Sequence, residues 1–415
     1  MNGLELFLNP YINVILVITI VQTILFVYSM YYVKIKYPYF LKPKMKNNFT
    51  PKVGIFIPCK GIDLDMENNL KAFLQQDYPD FIVTFITEDE NDPANFVIKK
   101  ILNMYPKKTR HVIAGYAINC GQKNYNLLQG IKEDKNSEIF VFCDADSQPK
   151  SDWLSNLIRP ISMGRNVVAT GIPWSIPLKP NLASVLMSLF MGYQAKGLLT
   201  FKFIWGGSIA INKTTFYEIG TDKMWSRAVV DDVSLHNLIL KNNLKVIPVV
   251  ECFSRSFNRV NSIKQVIDWF SRQIIYLKIY KPHLWFVSLS QIINFLIITI
   301  TPILLFISWR YEILLRESLV SLMFTLYLLM IHNNICLLYD EDLPYPVIWR
   351  QVLFIADFVA LYSLLKTVFM KDLYWRGILY ELEPGGIVKK VKRLYPTIEN
   401  KEKLQTIELQ EKLVN

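Results

Sequence analysis

Two long stretches of this sequence contain no charged side chain, and they constrain the fold more than any other feature. They cover residues 11–33 and 284–308, and each exceeds the roughly 20 residues that a helix needs to cross a bilayer. Residues 318–339 are a third candidate span, and residues 351–370, which carry two charges, are a weaker fourth. Core helices rarely stay apolar on all sides for so long. The sequence therefore predicts an integral, multi-pass membrane protein.

The charges beside these stretches predict an orientation. Five lysines lie between residues 34 and 46, whereas Glu5 is the sole charged residue before the first stretch. The positive-inside rule therefore predicts an external N-terminus and places residues 34–283, and the basic C-terminal tail, in the cytoplasm. Four complete spans would leave that tail outside, so one weak stretch is expected not to cross. The net charge of +11 reflects basic residues beside the membrane, which predicts a lipid bilayer as partner and no nucleic acid.

Residues 50–250 alternate between apolar runs and helical patterns. The runs predicted as strands lie at residues 53–57, 81–87, 111–115 and 138–144. This alternation is typical of an α/β domain with a mainly parallel sheet covered on both faces. Ligands of such sheets bind at the carboxyl ends of the strands. The functional residues are therefore expected there.

Asp144 and Asp146 stand at the end of the fourth run, one residue apart. Carboxylates with this spacing can turn towards one hard cation, Mg²⁺ or Mn²⁺, which would neutralise a diphosphate leaving group. The alternative is a turn that starts the next helix, because Asp and Ser commonly cap helices. The five cysteines have no metal-site spacing and are predicted to be reduced packing residues.

Several longer motifs surround this acidic pair in a fixed order. They are PCKGIDLDMENNLKAFLQQDYP (58–79), EDENDPANFVIKKI (88–101), WGGSIAINKTTFYEIG (205–220), VVDDVSLHNLIL (229–240) and WRGILY (375–380). With these motifs the chain resembles the family 2 glycosyltransferases, and most closely their ceramide-glucosyltransferase-like branch. The resemblance implies a GT-A-type (Rossmann-like) domain and a hexosyltransferase. Its donor would be a UDP-hexose, UDP-glucose in the first place, and its acceptor the hydroxyl of a membrane lipid.

The resemblance also implies where the nucleotide binds. Pro58, Lys60 and Gly61 would belong to the nucleotide end of the first strand, and Asp92 would lie near the uracil or ribose. A carboxylate there can accept a hydrogen bond from a ribose hydroxyl or a uracil N–H. The neighbouring acids at 88–90 leave the register open, and a solvated acidic loop is the alternative.

Further residues would hold the diphosphate and the sugar. Asp144 and Asp146 would bind the diphosphate through the cation. Gly206 and Gly207 precede an expected strand and would allow a sugar to approach the backbone closely, although a plain turn explains them nearly as well.

Asp231 and Asp232 are the candidates for the chemistry. An inverting transfer needs one base that takes the proton of the acceptor hydroxyl as it attacks the anomeric carbon. The family's acidic pair matches Asp231 and Asp232, with Asp232 as the base. A helix cap is a compatible alternative, and His236, one turn along, is a rival whose expected role is packing.

The family's next motif, (Q/R)xxRW, is altered in this chain. Gln265 and Trp269 match it, but Asp268 stands where the arginine belongs. Ser262 and Gln265 fit a capping box, and one helix would then place Trp269, Arg272 and Tyr276 on one face. Arg272 is our choice for the missing arginine.

Five segments follow from these arguments: a membrane anchor with a basic flank (1–46), a GT-A-like catalytic domain (47–255), an interfacial amphipathic helix (256–285), C-terminal transmembrane helices (286–371) and a cytoplasmic tail (372–415). The apolar residues 181–199 are predicted to be an interfacial segment near the acceptor entrance. Two rival functions are a processive polysaccharide synthase, which would need more spans and an intact motif, and a catalytically inactive membrane scaffold.

Overall fold

The computed structural model describes residues 17, 20, 21, 23–288 and 346–394. The predicted span at 318–339 and almost all of the span at 284–308 lie outside these residues. The strands are β1 (Val53–Pro58), β2 (Phe81–Thr87), β3 (Thr109–Ile113), β4 (Ile139–Cys143), β5 (Val167–Pro177), β6 (Ser208–Asn212), β7 (Lys245–Asn258), β8 (Leu373–Trp375), β9 (Ile378–Glu383) and β10 (Ile387–Arg393). The α-helices are α1 (Met66–Leu74), α2 (Ala94–Met104), α3 (Gln122–Lys132), α4 (Trp153–Ile158), α5 (Leu182–Phe201), α6 (Lys213–Glu218), α7 (Thr221–Trp225), α8 (Asp231–Lys241), α9 (Ile263–Tyr280), α10 (Pro282–Val287) and α11 (Pro346–Phe369).

The first seven strands form one sheet in the order β3-β2-β1-β4-β6-β5-β7. Strands β1 to β4 pair in parallel with one another, β5 and β7 pair in parallel, and β6 is antiparallel to β4 and β5. The predicted α/β class with a mainly parallel sheet is confirmed. The predicted strand at 111–115 lies two residues earlier, and β7 continues to Asn258, past the predicted domain boundary at 255.

Cores on both faces of the sheet explain why the first strands are apolar throughout. Val53, Ile55 and Ile57 pack into the core on one face, whereas Phe56 joins Phe140 in the core on the other. A strand covered on both faces cannot alternate apolar with polar residues. The polar side chains of this part of the chain are therefore concentrated at strand ends.

Strands β8 to β10 form a separate antiparallel sheet within the segment predicted as a tail. This C-terminal sheet packs against the α/β domain. The Val229 N–H donates to the Gly386 carbonyl at 3.0 Å, and the Val388 N–H donates to the Arg227 carbonyl at 2.8 Å. The Gln122 N–H donates to the hydroxyl of Tyr380, which is fully buried. Residues 373–393 are thus an integral part of the domain.

Apolar helices border the sheet on one side. Helix α9 packs against α5 and α11, and the rings of Phe190 and Phe270 stack at 4.2 Å. An N-terminal helix precedes α1, and its described residues are 17, 20, 21 and 23–31. The hydroxyls of Ser29 and Thr200 hydrogen-bond, which joins this N-terminal helix to α5. Among the described residues, α5 is the one helix whose length and composition would allow a membrane crossing, and 67% of that stretch is buried.

Exposed apolar side chains on these helices lie on narrow faces. Phe358, Tyr362, Leu365 and Phe369 recur at helical spacing along α11 and are exposed, and Val17, Ile20, Val21, Ile24 and Val27 are exposed on the N-terminal helix. Such contiguous apolar stripes are typical of surfaces that contact lipid or another apolar partner.

Candidate active site

A cavity of about 730 Å³ opens at the carboxyl ends of β1 and β4. It brings together most of the residues that the sequence predicted, although they come from widely separated motifs. Those on its wall are Pro58, Lys60, Asp144, Asp146, Gly206, Asp231, Asp232, Trp269 and Arg272. Gly61, Asp92 and Gly207 are not on the wall. The rest of the wall is mainly apolar and comes largely from α5, α9 and α11, although Asp357 of α11 also lies on it.

Lys123 connects two of the predicted acidic pairs, and the sequence did not single it out. Its Nζ lies 2.7 Å from Oδ1 of Asp144 and 2.9 Å from Oδ2 of Asp231, and it lies 3.4 Å from the carbonyl of Gly206. Burial lowers the pKa of Lys123, but the carboxylates of Asp144, Asp231 and Asp232 outweigh this effect and raise it. The ammonium is therefore charged and fixes the relative positions of the two carboxylates.

Asp231 and Asp232 occupy the first turn of α8, and their surroundings differ. Asp231 is 4% exposed and pairs with Lys123, whereas Asp232 is half-buried and faces the cavity. Oδ2 of Asp232 accepts from the Gly206 N–H at 3.0 Å, and Oδ1 accepts from the Val233 N–H at 2.7 Å. Burial and the adjacent Asp231 raise the pKa of Asp232 to about 7. Its carboxyl group can therefore exchange a proton near neutral pH.

Helix α8 needs neither carboxylate as an N-cap. Val230 occupies the N-cap position and makes no side-chain cap. His236, the rival base, is 4% exposed and packs edge-on against Phe203. Burial lowers the pKa of His236 to about 4, so the ring is neutral at physiological pH.

Gly206 and Gly207 are required by close packing. A Cβ on Gly206 would lie 2.8 Å from Oδ2 of Asp231 and 3.0 Å from Nζ of Lys123. A Cβ on Gly207 would lie 2.2 Å from the ring of Trp205. β6 begins immediately afterwards at Ser208, which confirms the expected strand.

Asp144 and Asp146 are available as cation ligands. Asp146 faces the cavity and forms no hydrogen bond or ion pair within the described part of the chain, and Oδ2 of Asp144 is likewise free there. Although Asp146 is exposed, partial desolvation by the surrounding cavity wall, with the charges of Asp144 and Asp63, raises the pKa of this carboxyl. Helix α4 starts at Trp153 with Asp152 as its N-cap, so this pair does not cap it.

The donor set fits a magnesium or manganese ion that is completed by substrate. Within residues 17–288 and 346–394, as far as they are described, no three His, Cys, Asp or Glu side chains cluster around one point. Mg²⁺ commonly uses one or two carboxylates and takes its other ligands from water and substrate phosphates. The carboxylate of Asp146 and the second oxygen of Asp144, at one strand end, satisfy that requirement.

Asp92 positions the loop after β1. Its Oδ1 accepts from the Gly61 N–H at 2.8 Å and from the Ala94 N–H at 2.9 Å. Gly61 has a φ of +68°, which favours glycine. Lys60 pairs with the buried Glu88 at 2.6 Å, and Arg393 reaches the same carboxylate at 3.1 Å.

The altered (Q/R)xxRW motif lies on α9, where the predicted capping box of Ser262 and Gln265 is confirmed. Trp269, Arg272 and Tyr276 all face the cavity. Arg272 forms no ion pair or hydrogen bond with other described residues. Asp268, which replaces the motif's arginine, is not on the cavity wall and instead forms an exposed pair with Lys366 of α11 at 2.6 Å.

Arg376 reaches the cavity from the turn between β8 and β9. It donates to the carbonyl of Lys60, and its Nη2 lies 2.9 and 3.1 Å from the two carboxylate oxygens of Asp63. Burial lowers the pKa of Arg376, but the carboxylates of Asp63, Asp146 and Asp144 raise it by more. The WRGILY motif pointed to this part of the sequence, but it did not indicate that Arg376 contacts Asp63 and Lys60.

The family assignment follows from the sequence over most of the chain. A family model described as glycosyl transferase family 21 matches residues 14–388. The chain belongs to this family. A ceramide glucosyltransferase of Komagataella phaffii (strain GS115 / ATCC 20864) is 28% identical over 160 residues, which are 34% of this chain and 31% of that protein. The chain therefore spans about a third of this curated relative's length. The resemblance to the ceramide-glucosyltransferase-like branch is confirmed.

Two solved structures show a weaker similarity. The mannosyltransferase PcManGT from Pyrobaculum calidifontis, in complex with GDP-Man and Mn²⁺, is 13% identical with a TM-score of 0.48, covering 86% of this chain and 99% of that chain. GalNAc-T7 with UDP, GalNAc and Mn²⁺ is 12% identical with a TM-score of 0.39, covering 56% of this chain and 50% of that chain. The strand order establishes the α/β fold independently of these similarities.

Proposed function

We propose that this chain is a membrane-bound, inverting hexosyltransferase with a GT-A-type domain, which transfers glucose from UDP-glucose to the hydroxyl of a membrane lipid. The observation that carries the proposal is the composition of the cavity. Its polar end contains the two acidic pairs, and its apolar end is formed by α5, α9 and α11. A nucleotide sugar suits the polar end, and the chains of a lipid suit the apolar end.

Asp232 would act as the general base. The acceptor hydroxyl gives its proton to a carboxylate oxygen of Asp232, its oxygen bonds to the anomeric carbon, and the bond from that carbon to the diphosphate breaks. UDP leaves on the opposite face with the electron pair. The Gly206 N–H holds Oδ2 of Asp232 at 3.0 Å, so the base is oriented before the acceptor arrives.

Lys123 and Asp231 would support this base without exchanging a proton. The buried Asp231 carboxylate is compensated by Lys123 at 2.9 Å. It keeps a negative charge beside Asp232, and like charges close together raise the pKa of one of them. Two adjacent carboxylates thereby serve different roles.

Asp144 and Asp146 would hold a divalent cation against the diphosphate. When bound, that cation neutralises the charge that develops on the leaving group. Arg272 is a second source of positive charge on the same wall, since it makes no ion pair within the described residues. Asp92 would act indirectly, through the Gly61 loop, unless its second oxygen reaches the nucleoside.

The exposed apolar stripes support a bilayer as the environment. The stripe on α11 lies on a helix that forms part of the apolar end of the cavity. The stripe on the N-terminal helix lies on a helix that hydrogen-bonds to α5. The contacts of the C-terminal sheet with Arg227 and Val229 require both parts of the chain to lie on one membrane side. We therefore propose an even number of crossings between α9 and β8, with both parts in the cytoplasm as the positive-inside rule predicts.

The test is transfer by the purified protein in lipid nanodiscs. UDP-glucose and UDP-galactose are offered in turn with ceramide or diacylglycerol, and UDP release and the mass of lipid products are followed. With one of the donor–acceptor pairs, we expect a hexosylated lipid and the release of one UDP for each lipid product formed. No UDP release with any lipid would indicate an inactive scaffold, and a growing carbohydrate polymer would indicate a synthase.

A further inference from the structure

The turn between β8 and β9 consists of Arg376 and Gly377, and both have a left-handed backbone. Their φ values are +45° and +80°. Two-residue hairpin turns of this kind strongly favour Asn-Gly or Gly-Gly, because a side chain with a Cβ is strained at positive φ. An arginine at the first position costs folding energy that asparagine would largely avoid. Strain of this kind occurs preferentially at functional sites.

The strained residue points into the donor end of the cavity. Asp63 and the carbonyl of Lys60 hold its guanidinium at the loop that follows β1. A guanidinium has five N–H donors, so several remain after these contacts. The carboxylates of Asp146 and Asp144 are near enough to contribute to the raised pKa of Arg376. Arg376 is thus fixed beside the place where a cation and a diphosphate would meet.

The other cations at this end are already compensated to different degrees. Lys123 lies between two carboxylates, Lys60 pairs with Glu88, and Arg376 itself pairs with Asp63, whereas Arg272 has no ion pair within the described residues. A diphosphate needs N–H donors that remain after such pairing, and the planar guanidinium of Arg376 has more donors than Asp63 and the Lys60 carbonyl accept from.

We propose that Arg376 binds the diphosphate of the nucleotide donor, so that the C-terminal hairpin completes the donor site. This inference rests on the proposed function. The hairpin then contributes a ligand-binding residue in addition to covering Val229 and Val230. Asp63 and the Lys60 carbonyl position that residue before the donor binds.

The experiment compares the binding of UDP, UMP and uridine to the full chain in nanodiscs with Mn²⁺ present. Arg376→Asn removes the charge and suits the left-handed turn. Arg376→Lys keeps the positive charge but loses the planar guanidinium that can bind two phosphate oxygens at once. The matched control is Lys389→Asn, which removes the same charge from an exposed position on β10 of the same sheet.

We expect Arg376→Asn to weaken UDP binding by roughly 10- to 100-fold, as the loss of a charged hydrogen-bonded contact predicts. Uridine affinity and the melting temperature should not fall. Arg376→Lys should be intermediate, and Lys389→Asn should match the parent.

Two results would overturn the inference while leaving the proposed function intact. In one, Arg376→Asn binds UDP as the parent does. In the other, it loses UDP and uridine equally and melts earlier, which is the result expected if Arg376 merely anchors the hairpin through Asp63. A parent protein that binds neither UDP nor UMP would overturn the proposed function as well.

Discussion

Nζ of Lys123 lies 2.9 Å from Oδ2 of Asp231, and this ion pair is buried beside the candidate base. The side chains of Lys123 and Asp231 are 13% and 5% exposed. The pair joins α3 to the start of α8. Breaking it should therefore change both the stability of the site and the position of the neighbouring Asp232.

Removing the lysine charge should be more damaging than removing the whole pair. Lys123→Gln leaves Asp231 buried without a counter-charge, and breaking such a pair typically costs about 3–5 kcal/mol. The double variant Lys123→Gln/Asp231→Asn should regain part of that loss. Thermal unfolding of the four proteins of the cycle measures the coupling. Purely additive changes would show that the two side chains are independent.

Asp232→Asn should reduce the transfer rate by about 10²–10⁴ while UDP binding persists, because it removes the proposed general base and keeps the side-chain volume. Asp231→Asn should be less damaging, since the proposed role of that residue is to tune its neighbour. Single-turnover transfer at saturating donor compares the two. If Asp231→Asn is inactive and Asp232→Asn is active, Asp231 is the base and Asp232 tunes it. If both variants are active, the base is a different residue.

The transfer rate should rise with pH through about 7, the raised pKa of Asp232. A base works only when ionised, so the protonated carboxyl that predominates below this pKa is inactive. The titratable groups that interact with Asp232 are Asp231, Lys123, Tyr276 and Tyr280, and Arg272 lies on the same cavity wall. Single-turnover rates from about pH 5 to about pH 9 test the prediction. A flat profile would contradict it.

Asp146→Ala should abolish the effect of metal on donor binding without unfolding the chain. The carboxylate faces the cavity and has no partner within the described residues, so its loss leaves the protein's own contacts unchanged. Calorimetric titration of UDP, with and without Mn²⁺, measures the effect. Equal UDP affinity of variant and parent in Mn²⁺ would refute the metal assignment.

Arg272→Ala should weaken UDP binding, whereas Asp268→Ala, four residues earlier on α9, should not. Arg272 faces the cavity, and Asp268 forms an exposed pair with Lys366 that is worth at most about 1 kcal/mol. Titration with UDP separates the two variants. A loss with Asp268→Ala instead would mean that the aspartate has taken over the function of the motif's arginine.

Local signals predicted the first half of the fold. Apolar runs with helical patterns between them located β1, β2 and β4, because strands buried on both faces have an unmistakable composition. Asp144 and Asp146 were found for the same reason, since polar residues that end such runs must lie at the sheet edge. The insertion of β6 between β4 and β5 was not predicted, because strand order depends on contacts between distant segments.

Two basic residues of the site show the limit of the sequence more directly. Lys123 stands in the polar stretch QKNYN, which is typical of an exposed helix face. Its burial follows from the acidic residues that α8 and β4 bring against α3. Arg376 contacts Asp63 across a separation of 313 residues. No pattern within either segment indicates the other.

The C-terminal sheet also has a consequence for biosynthesis. A ribosome makes residues 373–393 after every other described element, and these residues supply the Tyr380 hydroxyl that binds the Gln122 N–H and the carbonyl that binds the Val229 N–H. A nascent chain therefore has an incomplete cavity until the segments before β8 have been inserted. Under the proposed function, we therefore expect the nascent polypeptide to transfer no sugar from the sugar nucleotide until its membrane segments have been inserted.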